Sequence, residues 1–328
     1  MNFSKIDELL SGEPAFRKKQ INKLIFQDLI ESWQQGTTLP KTLRQMLSRE
    51  VPLEIKAQEF VSKDGTVKAL ITLADDLKIE TVLMRFKDRN TICVSCQVGC
   101  PLKCVFCATG QMGFKRNLTA GEILDQVLSF ARLLKKEKQK ITNIVFMGMG
   151  EPFLNYDNIM EAIRIINNPG TFGLGARHIS VSTVGIVEGI GRFTKENLEV
   201  NLAISLHAAN EDLRTKLMPI NQKYPIAAVM EAVGNYVKKS HRKVMFEYVL
   251  MNRVNDSDKD ALSLCRLLNN PIFHINLIRY NPNGKFRPSP KDRIENFKKI
   301  LTAGRISFTE RYRFGADIKA ACGQLAIK

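Results

Sequence analysis

From residue 91 onward, the apolar positions gather into six short runs: 91–96, 141–147, 178–183, 200–206, 243–250 and 273–279. Between these runs the apolar residues recur every three or four positions. Short continuous apolar runs bounded by polar residues predict buried strands, and the 3.6-residue period between them predicts helices. Six strand–helix units in series predict a parallel sheet, either doubly wound or curled into a partial barrel. Thr119-Ala-Gly-Glu122 reads as a capping box opening the first of these helices, so the segment before it connects the first strand to that helix. Such loops sit at the carboxyl ends of the strands, where α/β barrels place their active sites.

The first seventy-odd residues follow another pattern. Residues 16–33 carry helical apolar spacing (Ile21, Leu24, Ile25, Leu29), Pro40 precedes a further short helix, and 53–60 with 66–73 read as a hairpin across Asp64-Gly65. No catalytic motif occurs there. The expected division is a small N-terminal α+β domain, residues 1–75, for packing and RNA docking, and an α/β body, residues 76–328, for the chemistry.

Charge changes the picture more than size does. The 328 residues are 44% hydrophobic, which is ordinary for a packed globular chain. No apolar run reaches the length of about 18 residues needed to span a membrane, and Met-Asn-Phe-Ser-Lys lacks the apolar stretch of a secretory leader. Seven cysteines, an odd number clustered by motif, fit a reducing cytoplasm better than a disulfide framework. Against that plain background, 49 Lys+Arg face 33 Asp+Glu, a net charge of +16 that predicts a polyanionic partner. Any one basic cluster, such as Arg17-Lys18-Lys19 or Arg242-Lys243, is an ordinary solvated face. Their sum favours nucleic acid. An anionic membrane would want a basic amphipathic helix with aromatic anchors, and the only Trp is Trp33.

Cys100, Cys104 and Cys107 read Cys-x3-Cys-x2-Cys, with Phe106 before the last, and this spacing fits three corners of a [4Fe–4S] cube with one iron left open. Zinc is the competing reading, because Cys93-x2-Cys96 followed by Cys104-x2-Cys107 also forms two paired knuckles. Two points weigh against zinc. Residues 91–96 read as a strand, in which side chains three apart face opposite sides. The seven-residue connector is also shorter than the roughly 12–20 of common zinc modules. Other polar groups end the predicted strands: Met147-Gly-Met-Gly-Glu-Pro152, Ser182-Thr183, Ser205-Leu206-His207 and Tyr280-Asn281-Pro282. The glycines allow close backbone approach, and Glu151 offers a carboxylate to an ammonium or ribose. Singly these are a glycine turn and a hydrogen-bonded histidine. In register with a cysteine cluster, they predict a cofactor pocket.

These residues carry a family resemblance. Cys-x3-Cys-x2-Cys followed by Gly-Glu-Pro resembles the radical S-adenosylmethionine (SAM) superfamily, and more narrowly the chain resembles the RlmN/Cfr family of rRNA adenine methyltransferases. The matching stretches are Cys93-Val-Ser-Cys-Gln-Val-Gly-Cys100, Gly113-Phe-Lys-Arg-Asn-Leu118, Gly148-Met-Gly-Glu-Pro152, Leu217-Met-Pro-Ile-Asn221, Asn276-Leu-Ile-Arg-Tyr-Asn281 and Ala320-Ala-Cys-Gly-Gln-Leu325. The resemblance implies a partial (β/α)6 TIM-type barrel behind the small N-terminal domain. It also implies a [4Fe–4S] cluster on Cys100, Cys104 and Cys107, and SAM held by Gly150, Glu151, Ser182, Ser205, Leu206, His207 and Asn281.

An unactivated adenine carbon is no nucleophile, so the implied route is radical and uses two SAM per turnover. Cys322 accepts a methyl group, a 5′-deoxyadenosyl radical takes hydrogen from it, and the resulting carbon radical adds to adenine. Cys93 then attacks the sulfur of Cys322, leaving a transient disulfide, and Glu80, in Ile79-Glu-Thr-Val82, accepts a proton. Outside the resemblance, Cys322 reads as a small buried residue and Glu80 as a solvated one. Cys265 is assigned to the core and Cys96 is given no role. The implied substrate is an adenine in the peptidyl transferase region of 23S rRNA, and a tRNA adenine besides, methylated at carbon 2. Carbon 8, the antibiotic-resistance branch, is the alternative, followed by radical chemistry on a peptide or small molecule and by a zinc-bearing RNA-binding module. A flavodoxin-type electron donor and a monomeric cytoplasmic enzyme are expected. Relatives usually carry a longer tail after the position of Leu325, so any RNA contacts from such a tail are expected to be missing or made elsewhere.

Overall fold

A computed structural model describes residues 1–326. It opens with α1 (Phe3–Leu9), α2 (Phe16–Asn22) and α3 (Lys41–Glu50). Ile21, Ile25, Trp33, Leu43 and Leu47 form their common core, and the Trp33 indole N–H satisfies its burial by donating to the Val51 carbonyl at 2.7 Å. The helical spacing expected over 16–33 runs out early. The backbone widens into a π turn at Lys23–Gln27, and Leu29 then takes φ +52° and reverses the chain.

The chain continues through β1 (Lys56–Val61), β2 (Val67–Thr72), β3 (Lys78–Phe86) and β4 (Arg89–Cys93), an antiparallel meander. A small hairpin follows, β5 (Gln97–Gly99) with β6 (Phe114–Asn117), enclosing the cysteine loop and α4 (Ala108–Gln111). Next comes α5 (Ala120–Lys136), whose Thr119 cap and Glu122 form the expected capping box. Then strands and helices alternate: β7 (Asn143–Phe146), α6 (Tyr156–Asn167), β8 (Ile179–Thr183), α7 (Val187–Phe193), β9 (Asn201–Ser205), α8 (Glu211–Leu217), α9 (Ile226–Ser240), β10 (Val244–Leu250), α10 (Asp258–Leu267), β11 (Phe273–Arg279), α11 (Lys291–Ala303) and β12 (Phe308–Glu310).

The large sheet runs β1-β2-β3-β4-β7-β8-β9-β10-β11-β12, parallel from β4 to β12. The strand order follows the sequence without reversal, so the sheet is singly wound, the connectivity of a barrel. Side chains alternate between its faces. Ile92, Ile144, Phe146, Val181, Leu202, Ile204, Phe246 and Ile275 share one face and are buried beneath the helices. The other face carries Cys93, Ser182, Ser205, Glu247 and Asn276, a polar lining that a solid core does not need.

The six expected parallel strands are present, and β12 adds a seventh that is too short to leave an apolar run. The strand expected over 91–96 stops at Cys93, because Ser95 and Cys96 turn toward Met149: its amide donates a hydrogen bond to Ser95 Oγ, and its carbonyl accepts one from the Cys96 amide. The cores of the two halves part between Leu53 and Val67. The hairpin of β1 and β2 is the edge of the large sheet, so a division at residue 75 falls within that sheet. The helical unit docks on α5, where Arg132 donates to the carbonyls of Leu53 (2.9 Å) and Ile30 (2.6 Å).

Candidate active site

The cysteine loop is closed by a glycine. Gly99 has φ +76°, and a Cβ there would sit 1.8 Å from the Gly113 carbonyl oxygen, which instead accepts the Cys100 amide at 2.9 Å. The Cys107 amide donates to the Cys104 carbonyl at 3.2 Å, and the Val105 amide to the Leu217 carbonyl at 3.0 Å, fixing the loop from both sides. Burial pushes the Cys100 thiol up to about 12 and Cys104 well above its ordinary range, and the loop's neighbouring thiols push both further in the same direction. Such thiols are protonated unless a metal replaces the proton. Among the described residues, no three His, Cys, Asp or Glu side chains converge on a single-ion position. The Cys-x3-Cys-x2-Cys loop suits a cube, whose corners each bind a different thiolate.

The strand ends behind the loop are tied to one another. Gly150 has φ +101°, and a Cβ there would press 2.6 Å from Gln97 Cβ and 2.9 Å from Cys96 Sγ, which gives Cys96 a packing role. Glu151 is buried. Its Oε1 accepts the Phe153 amide at 3.0 Å and its Oε2 the Val184 amide at 2.9 Å, so the carboxylate first bridges the ends of β7 and β8. Burial raises its pKa to about 7 despite those two bonds. The hydroxyls of Ser182 and Ser205 lie 3.2 Å apart, and Leu206 is buried beside them. His207, at φ +58°, accepts the Val249 amide on Nδ1 at 3.2 Å, which leaves the proton on Nε2. Burial and the Arg214 charge hold its pKa down at about 3, so the ring is neutral and stands edge-on to Phe106, centroids 4.8 Å apart.

The C-terminal segment closes the site. Asn281 Nδ2 donates to the Cys322 carbonyl at 3.0 Å, the Ala108 amide to the Gly323 carbonyl at 2.9 Å, and Thr109 Oγ1 to the Leu325 carbonyl at 2.6 Å. These bonds set Cys322 against the cysteine loop, within electrostatic range of Cys93, Cys107 and Glu247. Its surface is solvent-accessible, yet protein crowds it, and burial pushes its thiol up to about 12, as it does that of Cys93. All seven cysteines are free thiols. Glu80 lies on the same sheet face as Cys93, paired with Lys68 at 2.8 Å, and is buried rather than solvated. Cys265, assigned to the core from sequence, is half-buried at the core's edge on α10, 3.8 Å from the Ile300 carbonyl oxygen.

Two contributors carry no signal in the sequence. Arg214, fully buried, donates to the carbonyls of Val184 (2.6 Å) and Leu206 (3.2 Å), lacing β8 to β9, while on the sequence it is one more helical arginine. Glu247 accepts Asn276 Nδ2 at 2.7 Å and faces Arg311 at 3.5 Å. Buried oxygens without a partner, Glu80 Oε2, Glu247 Oε2 and Asn281 Oδ1, border this face. Together with the glycine cradle at Gly150, they fit a polar cofactor such as SAM.

A profile of the Radical SAM superfamily matches residues 94–265. A probable dual-specificity RNA methyltransferase RlmN from Dictyoglomus turgidum is 46% identical over 321 residues, covering 96% of this chain and 91% of that one. The protein of the same name from Chloroflexus aurantiacus is 45% identical, covering 99% and 91%. The chain belongs to the RlmN family. The crystal structure of a radical SAM methyltransferase from Sphaerobacter thermophilus superposes with a TM-score of 0.95 at 46% identity, over 99% of this chain and 97% of that one. As a radical SAM protein of the RlmN family, the chain takes a [4Fe–4S] cluster and SAM, and the thiols and strand ends described above are suited to hold them.

Proposed function

We propose that the protein methylates carbon 2 of an adenine in the peptidyl transferase region of 23S rRNA, and an adenine of tRNA. The observation that carries this reading is Cys322 held against the cysteine loop, within range of Cys93, in a chain 46% identical to a named RlmN. The dual specificity in the relatives' names supports two RNA substrates, and the net charge of +16 supports a polyanionic one. A cytoplasmic monomer served by a flavodoxin-type electron donor completes the reading.

Cys100, Cys104 and Cys107 would hold the cluster. Gly150, Glu151, Ser182, Ser205, Leu206, His207 and Asn281 would hold SAM. When bound, these groups supply a methyl group and the one-electron chemistry that an unactivated sp² carbon requires. The chain's residues do the rest. Cys322 gives up its thiol proton and carries the methyl carbon as a thioether, which joins the protein covalently to the base during transfer. Glu80, its Oε1 fixed by Lys68, receives the proton from the adenine carbon on its free Oε2. Cys93 closes an S–S bond to Cys322 as the carbon–sulfur bond breaks, which releases the methylated RNA.

The test is anaerobic turnover with SAM, a reductant and protein-free 23S rRNA or tRNA, followed by mass spectrometry of the digested nucleosides. The expected product is 2-methyladenosine. A product of 8-methyladenosine would move the protein to the other branch, and no methylated adenosine from either RNA would overturn the reading.

A further inference from the structure

Three aromatic side chains that no motif used above includes meet on the surface. Phe86, at the end of β3, and Tyr312, just after β12, are 44% and 59% exposed. Their ring centroids are 5.6 Å apart, and Phe314, half-buried between them, lies 6.2 Å from Phe86 and 4.8 Å from Tyr312. Large rings joined this way normally face inward, because each would gain by burial.

The setting is basic. Lys87 Nζ stands 5.8 Å from the centre of the Phe86 ring, and Lys87, Arg89 and Arg313 are exposed, with no ion pair among the described residues. Asp88 is the one acidic side chain in that turn. The patch is also held rigidly. Arg311 donates its amide to the Leu277 carbonyl at 2.8 Å and reaches Glu247 on the inner face, and the Gly315 amide donates to Asp64 Oδ2 at 2.9 Å. Gly315 has φ +55°, and a Cβ there would lie 2.7 Å from Ala320 Cβ, so the segment bearing Tyr312 is pinned on both sides and leads within ten residues to Cys322.

We infer that Phe86, Tyr312 and Phe314 form a stacking platform for an unpaired nucleobase of the RNA, with Lys87, Arg89 and Arg313 holding the neighbouring phosphates. This rests on the RNA reading proposed above. Exposed ring faces bordered by free cations are what a single-stranded nucleic acid recognises: bases stack on the rings without regard to sequence, and the cations track the backbone. A protein partner would have no use for three unpaired cations around so small an apolar centre, and a membrane would need a longer apolar face.

The experiment compares wild type with Tyr312→Ala, Phe86→Ala and Tyr312→Trp as holoenzymes. It measures binding of a fluorescent single-stranded RNA and of the same sequence as a duplex, and loading of one methyl group onto Cys322 from SAM without RNA. Each alanine variant is expected to lose about tenfold or more in affinity for the single strand, with Cys322 loading unchanged and Tyr312→Trp binding like wild type. Equal single-strand affinity in the alanine variants would overturn the platform, and so would a loss of Cys322 loading in parallel with binding, which marks a merely structural staple. The arms separate from the proposed reaction. If wild type yields no methylated adenosine while Tyr312→Ala still loses single-strand binding, the reaction is wrong and the platform stands.

Discussion

Gly150 and His207 show how narrowly single residues are set here. At Gly150 a methyl group would meet Gln97 and Cys96 within 2.9 Å, at a φ of +101° that L side chains rarely adopt. Gly150→Ala should therefore cost about 3 kcal/mol or more in urea unfolding. A cost below about 1 kcal/mol would show that the neighbours yield easily. His207 makes a prediction about pH. Its folded pKa, about 3, lies below the ordinary 6.5. Between those values the unfolded chain binds a proton that the folded one does not, so its contribution is intact above pH 6.5 and is lost as pH falls toward 3. Replacing it with glutamine should remove up to about 1.4 kcal/mol per pH unit from the acid slope of wild-type stability; identical slopes would contradict the buried neutral ring. At this scale, Cys100, Cys104 and Cys107 were legible from their spacing and the polar strand ends from their register with that loop, whereas Cys93, Cys322 and Glu80 stood out only through the family resemblance. Arg214 and Glu247 were not legible, since nothing in a sequence separates a buried charge from a solvated one.

Among the elements, α5 carries more than its place in the sheet. It leaves the cysteine loop through the Thr119 cap, buries Leu128 in the helical unit's core, and through Arg132 satisfies two carbonyls of that unit. Arg132→Met would leave both carbonyls unpaired, costing about 2–4 kcal/mol, and would loosen the contact first. Limited proteolysis should then cut within residues 1–53 faster than in wild type while the remainder stays resistant; an unchanged pattern would show that apolar packing alone holds the unit. The alternation of strands and helices was readable because each inner strand is an apolar run. The failures have physical causes. β12 is three residues long, the strand end at Cys93 is set by contacts with Met149, and β1 is exposed along its whole length, so no pattern showed that the hairpin extends the large sheet.

The whole molecule is a polar-lined, singly wound sheet with its C-terminal segment folded back over the cysteine loop. The sequence motifs named the two distant cysteines, but only the fold brings them within electrostatic range of each other. Cys93 ends the first parallel strand, and Cys322 is set against the cysteine loop by a segment hydrogen-bonded to Ala108, Thr109 and Asn281. The net charge was legible as a statement about partners, although not about where RNA would sit, because charge in a sequence has no address. The central claim is that these two thiols divide the work, one carrying the carbon and the other releasing it. The most direct measurement is anaerobic reaction of Cys93→Ala with SAM, reductant and RNA, followed by denaturing electrophoresis and peptide mass spectrometry. RNA covalently attached through a one-carbon bridge at Cys322 is the expected product. Free methylated RNA released at the wild-type rate would contradict the claim.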